Sequence, residues 1–151
     1  MQAFGTSGPI ATWRATAEKL RRLILDQSWD EEAQCLSEAT TAAIAERLSA
    51  GDGLHYRYLH DHSPDGLPGA EGAFVLCSFW LVDNLILHSH MGRAEELNAS
   101  LCARANPVGL LPEQIDPATG AFMGNFPQAF SHIGIIASGV NLVRVKAGMT
   151  A

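Results

Sequence analysis

One carboxylate in this chain sits in a segment built to hold it. Glu113 lies in GLLPEQIDPATG, Gly109 to Gly120, a Pro-, Gly- and Asp-rich loop between two apolar helical patterns. Loops carry chemistry more often than helix interiors do, because a rigid scaffold presents a loop side chain to a ligand without burying its charge. A glutamate alone in a turn is a solvated surface acid. Here Pro112 fixes the backbone just before it, Pro117 and Gly120 bend the chain after it, and Asp116 can close an Asx turn. A carboxylate held rather than dangling points to a functional role.

Metal chemistry is the other possibility that residue types raise, since the chain has six histidines and three cysteines. His88 and His90 are two apart on a helical pattern and point to different sides. His60 and His62 share a loop, but no third ligand follows at a zinc-like spacing. Cys35, Cys77 and Cys102 are far apart with no CxxC pair, so they read as small reduced core residues. No metal site is expected. His132, in FSHIG near the end of a helix that should face the Glu113 loop, either contacts the site or is a hydrogen-bonded structural residue.

At 151 residues the chain fits one domain, and its 47% hydrophobic content is ordinary for a protein with a core. A net charge of -6 argues against nucleic-acid binding, which needs a basic stripe. The only short basic run, Lys19, Arg21 and Arg22, reads as a solvated helix face. The N-terminus lacks a basic n-region and an apolar h-region, and no apolar run reaches spanning length, so the expectation is a cytoplasmic chain without a membrane partner. The sequon Asn98 to Ser100 falls inside a helical pattern and is given no function.

The elements that must position Glu113 are helical. Trp13, Ala17, Leu20 and Ile24 recur at three- and four-residue steps, which predicts a helix with one buried stripe from about Ile10 to Gln27. A weaker second helix runs from Ser37 to Ala50, with Ser37 as N-cap and Gly51 as its stop. A long loop follows, holding a short extended stretch at Leu54 to Leu59. The third helix, about Gly72 to His90, is apolar on nearly every side, which predicts burial in a larger body. A fourth, amphipathic helix covers Arg93 to Ala105. The fifth runs from about Pro127 to Val145, with Asn125 as candidate N-cap and Pro127 in its first turn. Strand signals are too sparse for a sheet, so the class is all-α. Five helices offer few partners for two that are apolar all round, and the chain reads as part of something larger.

Taken together, GLHYRY, GAFVLCSFWLVDNL and NPVGLLPEQIDPATGAFMGNFPQAFSHIGII closely resemble the C-terminal part of glycoside hydrolase family 15, which contains glucoamylases, glucodextranases and bacterial trehalases. The resemblance covers nearly the whole chain and is strong from Gly53 to Leu142. It implies the C-terminal part of an (α/α)6 barrel, with the third and fifth helices inner and the fourth outer. The loop of LLPEQxDP type implies that Glu113 is the general base of an inverting glycosidase acting on an α-glucan, a maltooligosaccharide or trehalose. Such a base deprotonates a water roughly midway to an acid partner about 6.5–9.5 Å away, and the pair needs one ionised and one protonated carboxyl. Arg57 resembles an arginine that hydrogen-bonds sugar hydroxyls, or is a solvated loop residue. Gln114 resembles a residue facing the terminal glucose. Phe74 and Trp80 are assigned to packing. No cofactor is needed.

The chain also departs from that family. The family's general acid lies well before the region represented here, and no block of this sequence matches it. Loss of general acid catalysis is typically worth about 10²–10⁴-fold, so the chain alone is expected to have little or no activity. Between Leu36 and Ser37 an apolar stretch is missing, as in an internal deletion. The single partial domain, residues 1–151, therefore reads as a fragment that needs a complementary N-terminal barrel portion, with exposed apolar faces on the third and fifth helices. The alternative is a noncatalytic helical remnant or pseudoenzyme acting as an interaction protein.

Overall fold

A computed structural model describes residues 10–31, 35–59 and 71–149. The chain divides into two compact units, one up to Thr40 and one from Thr41 onward. His60 and His62 lie outside the described residues, as do residues 32–34 beside the expected deletion.

In the first unit, α1 (Ile10–Ser28) leads into a two-stranded antiparallel hairpin, β1 (Trp29–Asp30) and β2 (Cys35–Leu36). The helix bounds match the apolar period, but the stripe is not buried: Trp13, Leu20 and Ile24 are exposed. Glu18 and Arg22 form an i,i+4 ion pair on the same helix, 3.0 Å apart. Ser37 caps the next helix as its type and position suggest, its hydroxyl oxygen accepting from the Thr40 N–H at 3.3 Å.

That helix, α2 (Glu38–Arg47), stops three residues short of the expected Ala50. Residues Ser49–Gly51 form β3 instead and pair antiparallel with β4 (Leu54–His55). Strand β4 lies inside the expected extended stretch and is buried, the His55 N–H donating to Ser78 Oγ at 3.0 Å.

The second unit also holds three longer helices: α3 (Val75–Leu87), α4 (Met91–Cys102) and α5 (Ala129–Lys146). Helix α3 ends where His90 N–H bonds to Leu85 C=O and Ser89 N–H to Ile86 C=O, with Ser89 at φ 61, a Schellman closure made without glycine. Its inward side, Val75, Ser78, Phe79, Val82, Leu85 and Ile86, joins Leu54, Leu101, Leu111, Ile115 and Leu142 in one core. Trp80 and Leu87, also on α3, are exposed, so Trp80 does not pack as expected among the described residues.

Helices α3 and α5 cross at Gly134. A Cβ there would stand 3.0 Å from two Phe79 side-chain carbons and 3.1 Å from a Leu76 methyl, so the contact depends on having none. Ser138 Oγ donates to the Phe79 carbonyl at 3.2 Å, and Asn141 Nδ2 to Asp83 Oδ1 at 3.1 Å. An ion pair of 2.9 Å between Lys146 and Glu95 ties α5 to α4.

The chain is mostly helical, but the absence of a sheet was the wrong expectation. Ala73–Phe74 (β5), Gln114–Ile115 (β6) and Phe122–Met123 (β7) form a three-stranded antiparallel sheet in the order β5-β6-β7. The strands are two residues long, too short to leave an alternating pattern in the sequence. Among the described residues no helix is long and apolar enough to cross a membrane.

Two measurements probe this architecture. Gly134→Val forces bulk into the helix crossing and should destabilise the fold by about 1–3 kcal/mol, read as a lower urea midpoint. Burial pushes the His55 imidazole below its usual value, against the opposing pull of the Gly53 and Ala45 carbonyls. The unfolded chain therefore takes up that proton first as pH falls through about 6.5. Stability should be fully present above that pH and decline below it. His55→Gln should remove up to about 1.4 kcal/mol per pH unit of that slope, measured by denaturation between neutral and mildly acidic pH.

Candidate functional site

The loop ahead of Glu113 is folded by one side chain. Asn106 Oδ1 accepts from the Val108 and Leu110 N–H groups at 3.2 and 2.8 Å, while the Asn106 N–H donates to Leu110 C=O at 3.0 Å. This turn delivers Leu111 and Pro112 into the interior, where both are fully buried.

Buried backbone must find partners, and the start of α5 supplies them. Gln128 N–H donates to Leu111 C=O at 3.0 Å, and Ser131 Oγ donates to Pro112 C=O at 2.6 Å. His132 Nε2 accepts from Leu111 N–H at 3.4 Å, while its Nδ1 lies 2.7 Å from the Gln128 carbonyl. Both ring nitrogens of His132 thus face main-chain groups of the loop and of α5's first turn.

Glu113 follows directly. Its carbonyl accepts from Val75 N–H at 3.1 Å and so meets the start of α3, which has no side-chain cap. Its own N–H donates to Asn125 C=O at 2.9 Å. Asn125 then returns two donors to the side chain: its backbone N–H and its Nδ2 each reach Glu113 Oε2 at 2.9 Å. Oε1 has no hydrogen-bond partner among the described residues. The half-buried carboxylate is thus gripped by one oxygen and open at the other.

Asn125 is therefore not the cap of α5. Gln128 takes that place, its Oε1 accepting from Phe130 N–H at 3.4 Å, and α5 begins two residues after Pro127. Beside Asn125, Phe126 and Phe122 expose a pair of rings with centroids 5.3 Å apart. Beyond Ile115, Asp116 closes the expected Asx turn, accepting from Ala118 N–H at 2.9 Å and Thr119 Oγ1 at 2.7 Å. The Thr119 hydroxyl and the Ala118 N–H hold its carboxyl below the usual range.

Gln114 does not swing freely, since its Oε1 accepts from Gly72 N–H at 2.8 Å, which leaves its amide donors. Across the sheet it pairs with Phe74. Phe74 precedes α3 and lies under Arg57, whose guanidinium carbon is 5.2 Å from the ring centroid and 4.9 Å from that of Tyr58. Glu71 pairs with Arg57 Nη2 at 2.6 Å. Arg57 is exposed yet held, by an acid and two rings. Arg57, Phe74, Gln114 and Glu113 thus form a run of neighbours, and His132 supports that run from α5.

Sequence reasoning missed Asn125, Gly124 and Glu71. The Gly-Asn dipeptide is a turn signal and EGAF places an acid beside the strand, but neither says which carboxylate or cation it serves. A cleft of about 590 Å³ is lined by residues including Ala45, His55, Leu81, Arg93, Glu96 and Leu97, none from the Glu113 loop.

Residues 88–140 match the family model described as glycosyl hydrolases family 15. The chain is 36% identical over 161 residues to a trehalase of Mycolicibacterium smegmatis, covering 89% of this chain and 24% of the relative. It is 44% identical over 107 residues to a trehalase of Mycobacterium tuberculosis, covering 71% and 16%, and 30% identical over 160 residues to one of Thermoplasma volcanium, covering 87% and 25%. The chain thus spans about a quarter or less of the length of these relatives. No solved structure matches it. Over residues 88–140, Glu113 and its loop included, the chain thus matches glycosyl hydrolase family 15, and it is similar to trehalases.

Proposed function

We propose that the chain is the C-terminal portion of an inverting α-glucoside hydrolase in which Glu113 is the general base. The observation that carries this reading is a carboxylate with Oε2 taken by two Asn125 donors and Oε1 open to a water. That water gives its proton to Glu113 as its oxygen bonds the anomeric carbon from the face opposite the leaving group. The departing oxygen takes its proton from a second carboxyl that this chain does not carry. Arg57 and the amide donors of Gln114 offer hydrogen bonds to sugar hydroxyls.

Trehalose is the substrate that the relatives' names favour, with maltooligosaccharides and α-glucan ends as the wider class. The missing acid belongs to a complementary N-terminal portion, which would also complete the (α/α)6 barrel. Support comes from a stripe of large apolar residues left open on α5: Phe130, Ile133, Ile136, Val140 and Val143.

The alignment with the Mycolicibacterium smegmatis trehalase spans 161 positions while using only 89% of a 151-residue chain. The relative therefore carries residues inside that span that this chain lacks, which supports an internal deletion. The same gap favours the second reading, a noncatalytic remnant that keeps the packing and binds as an interaction protein.

Co-expression with the N-terminal portion of a related trehalase, assayed on trehalose, maltose and starch, separates the two. A reconstituted enzyme should release glucose of inverted configuration, and Glu113→Gln should lower kcat by about 10²–10⁴-fold. Hydrolysis indifferent to that substitution would sink the base assignment.

A further inference from the structure

The hydrogen bonds around Glu113 do more than hold it: they distinguish its two oxygens. Oε2 faces two donors at 2.9 Å, both from Asn125, and neither can turn into an acceptor toward a carboxyl O–H, since a backbone N–H and an amide NH₂ only donate. A proton on Oε2 would confront both. A proton on Oε1 meets no such conflict, and Oε2 then becomes the carbonyl oxygen of the acid and keeps both bonds.

We propose that Asn125 is a positioning residue for the reaction assigned to Glu113. It reserves Oε2 as a permanent acceptor, so that Oε1 alone takes the proton from water. This inference rests on that assignment. The same two bonds persist in both protonation states, so the carboxyl does not rotate as it gains and loses its proton.

Gly124 makes the arrangement possible. It adopts φ +70, and a Cβ on it would stand 2.7 Å from Glu113 Oε2 and 3.1 Å from Glu113 Cβ. Only glycine lets the backbone bring Asn125 N–H onto the carboxylate at that distance without pushing Oε2 aside. The Glu113 N–H to Asn125 C=O bond of 2.9 Å closes the pairing from the main chain. The two segments are thereby locked in register through three bonds between the same two residues.

The test has one arm on the chain itself and one on the reconstituted hydrolase. With ¹³C,¹⁵N-labelled full-length chain, the Asn125 backbone N–H and side-chain NH₂ resonances should move in step with the Glu113 carboxyl carbon as the solution is acidified, and should no longer move in Glu113→Gln. Resonances that stay flat, or that move equally in Glu113→Gln, would overturn the proposal without touching the hydrolase reading. In the reconstituted enzyme Asn125→Ala should lower kcat about ten- to a hundredfold with KM unchanged, the worth of one hydrogen bond to a charged group. Asn125→Asp preserves shape but sets an acceptor and a charge against Oε2, so it should cost more than Ala, whereas a residue that only fills space would be rescued by it. An unchanged kcat in Asn125→Ala, where Glu113→Gln is inactive, defeats the inference alone. Turnover that ignores Glu113→Gln defeats the base assignment and this inference with it.

Discussion

The constraint on which the second unit depends is the backbone of Leu111 to Ile115, a non-helical segment threaded through the core and ending in β6. Leu111, Pro112 and Ile115 are fully buried, so their peptide groups have lost water and must be paired inside the protein. A helix satisfies such groups within itself, but this segment cannot. It draws on the first turn of α5 for Leu111 and Pro112, on the start of α3 and on Asn125 for Glu113, and on β5 and β7 for Gln114 and Ile115. An unpaired buried group costs about 1–3 kcal/mol. Four elements are therefore fixed around one short stretch, and the only side chain in it that carries charge is the carboxylate at its centre.

This explains why so many polar residues around Glu113 point away from the site. Ser131, His132 and Gln128 are spent on main-chain carbonyls and N–H groups. His132 in particular looks, as a residue type, like acid–base machinery, yet both ring nitrogens face the backbone. Gln114 spends its oxygen on Gly72 and keeps its donors. A carboxylate aimed to within a fraction of an ångström needs a shell whose own orientations are already decided. The result is a site whose visible chemistry is sparse and whose support is dense.

How much of this was legible in the sequence follows from range. The helices were, because apolar residues three and four apart report on one turn and its neighbour: α1 begins at Ile10, α3 falls inside its expected span, α4 begins two residues before the expected Arg93, and α5 runs one residue past the expected Val145. Their ends were displaced where another segment claimed the backbone. Helix α2 yields Ser49 to β3, and α3 starts late because Ala73 and Phe74 pair with Ile115 and Gln114, far along the chain. Glu113 was legible through Pro112 and Asp116, whose effects are local. Asn125 was not, because its type and place, just before a proline and a helical pattern, satisfy an N-cap equally well. Only the distance to Glu113 decides between the two uses, and that distance is a property of the fold.

The two sides of α5 show how a helix can be well packed and still incomplete. Toward α3 it presents Ser131, Gly134, Ser138 and Leu142, three of them small, and Gly134 lets the helices approach until Phe79 fills the gap. On its open side it carries Phe130, Ile133, Ile136, Val140 and Val143, between half and two thirds exposed. Large apolar residues outside and small ones inside reverse the usual order, in which the bulkiest side chains are buried. The small side is explained by the close crossing. The large side is explained by nothing among the described residues. Covering each such side chain contributes about 1.5–3 kcal/mol, so the stripe represents a driving force comparable with the whole stability of a small domain. In the hydrolase proposed above, Glu113 and the stripe pose the same requirement from two directions: a carboxylate that works with a partner acid and a helix that takes a partner surface, in a chain spanning a quarter or less of its relatives' length.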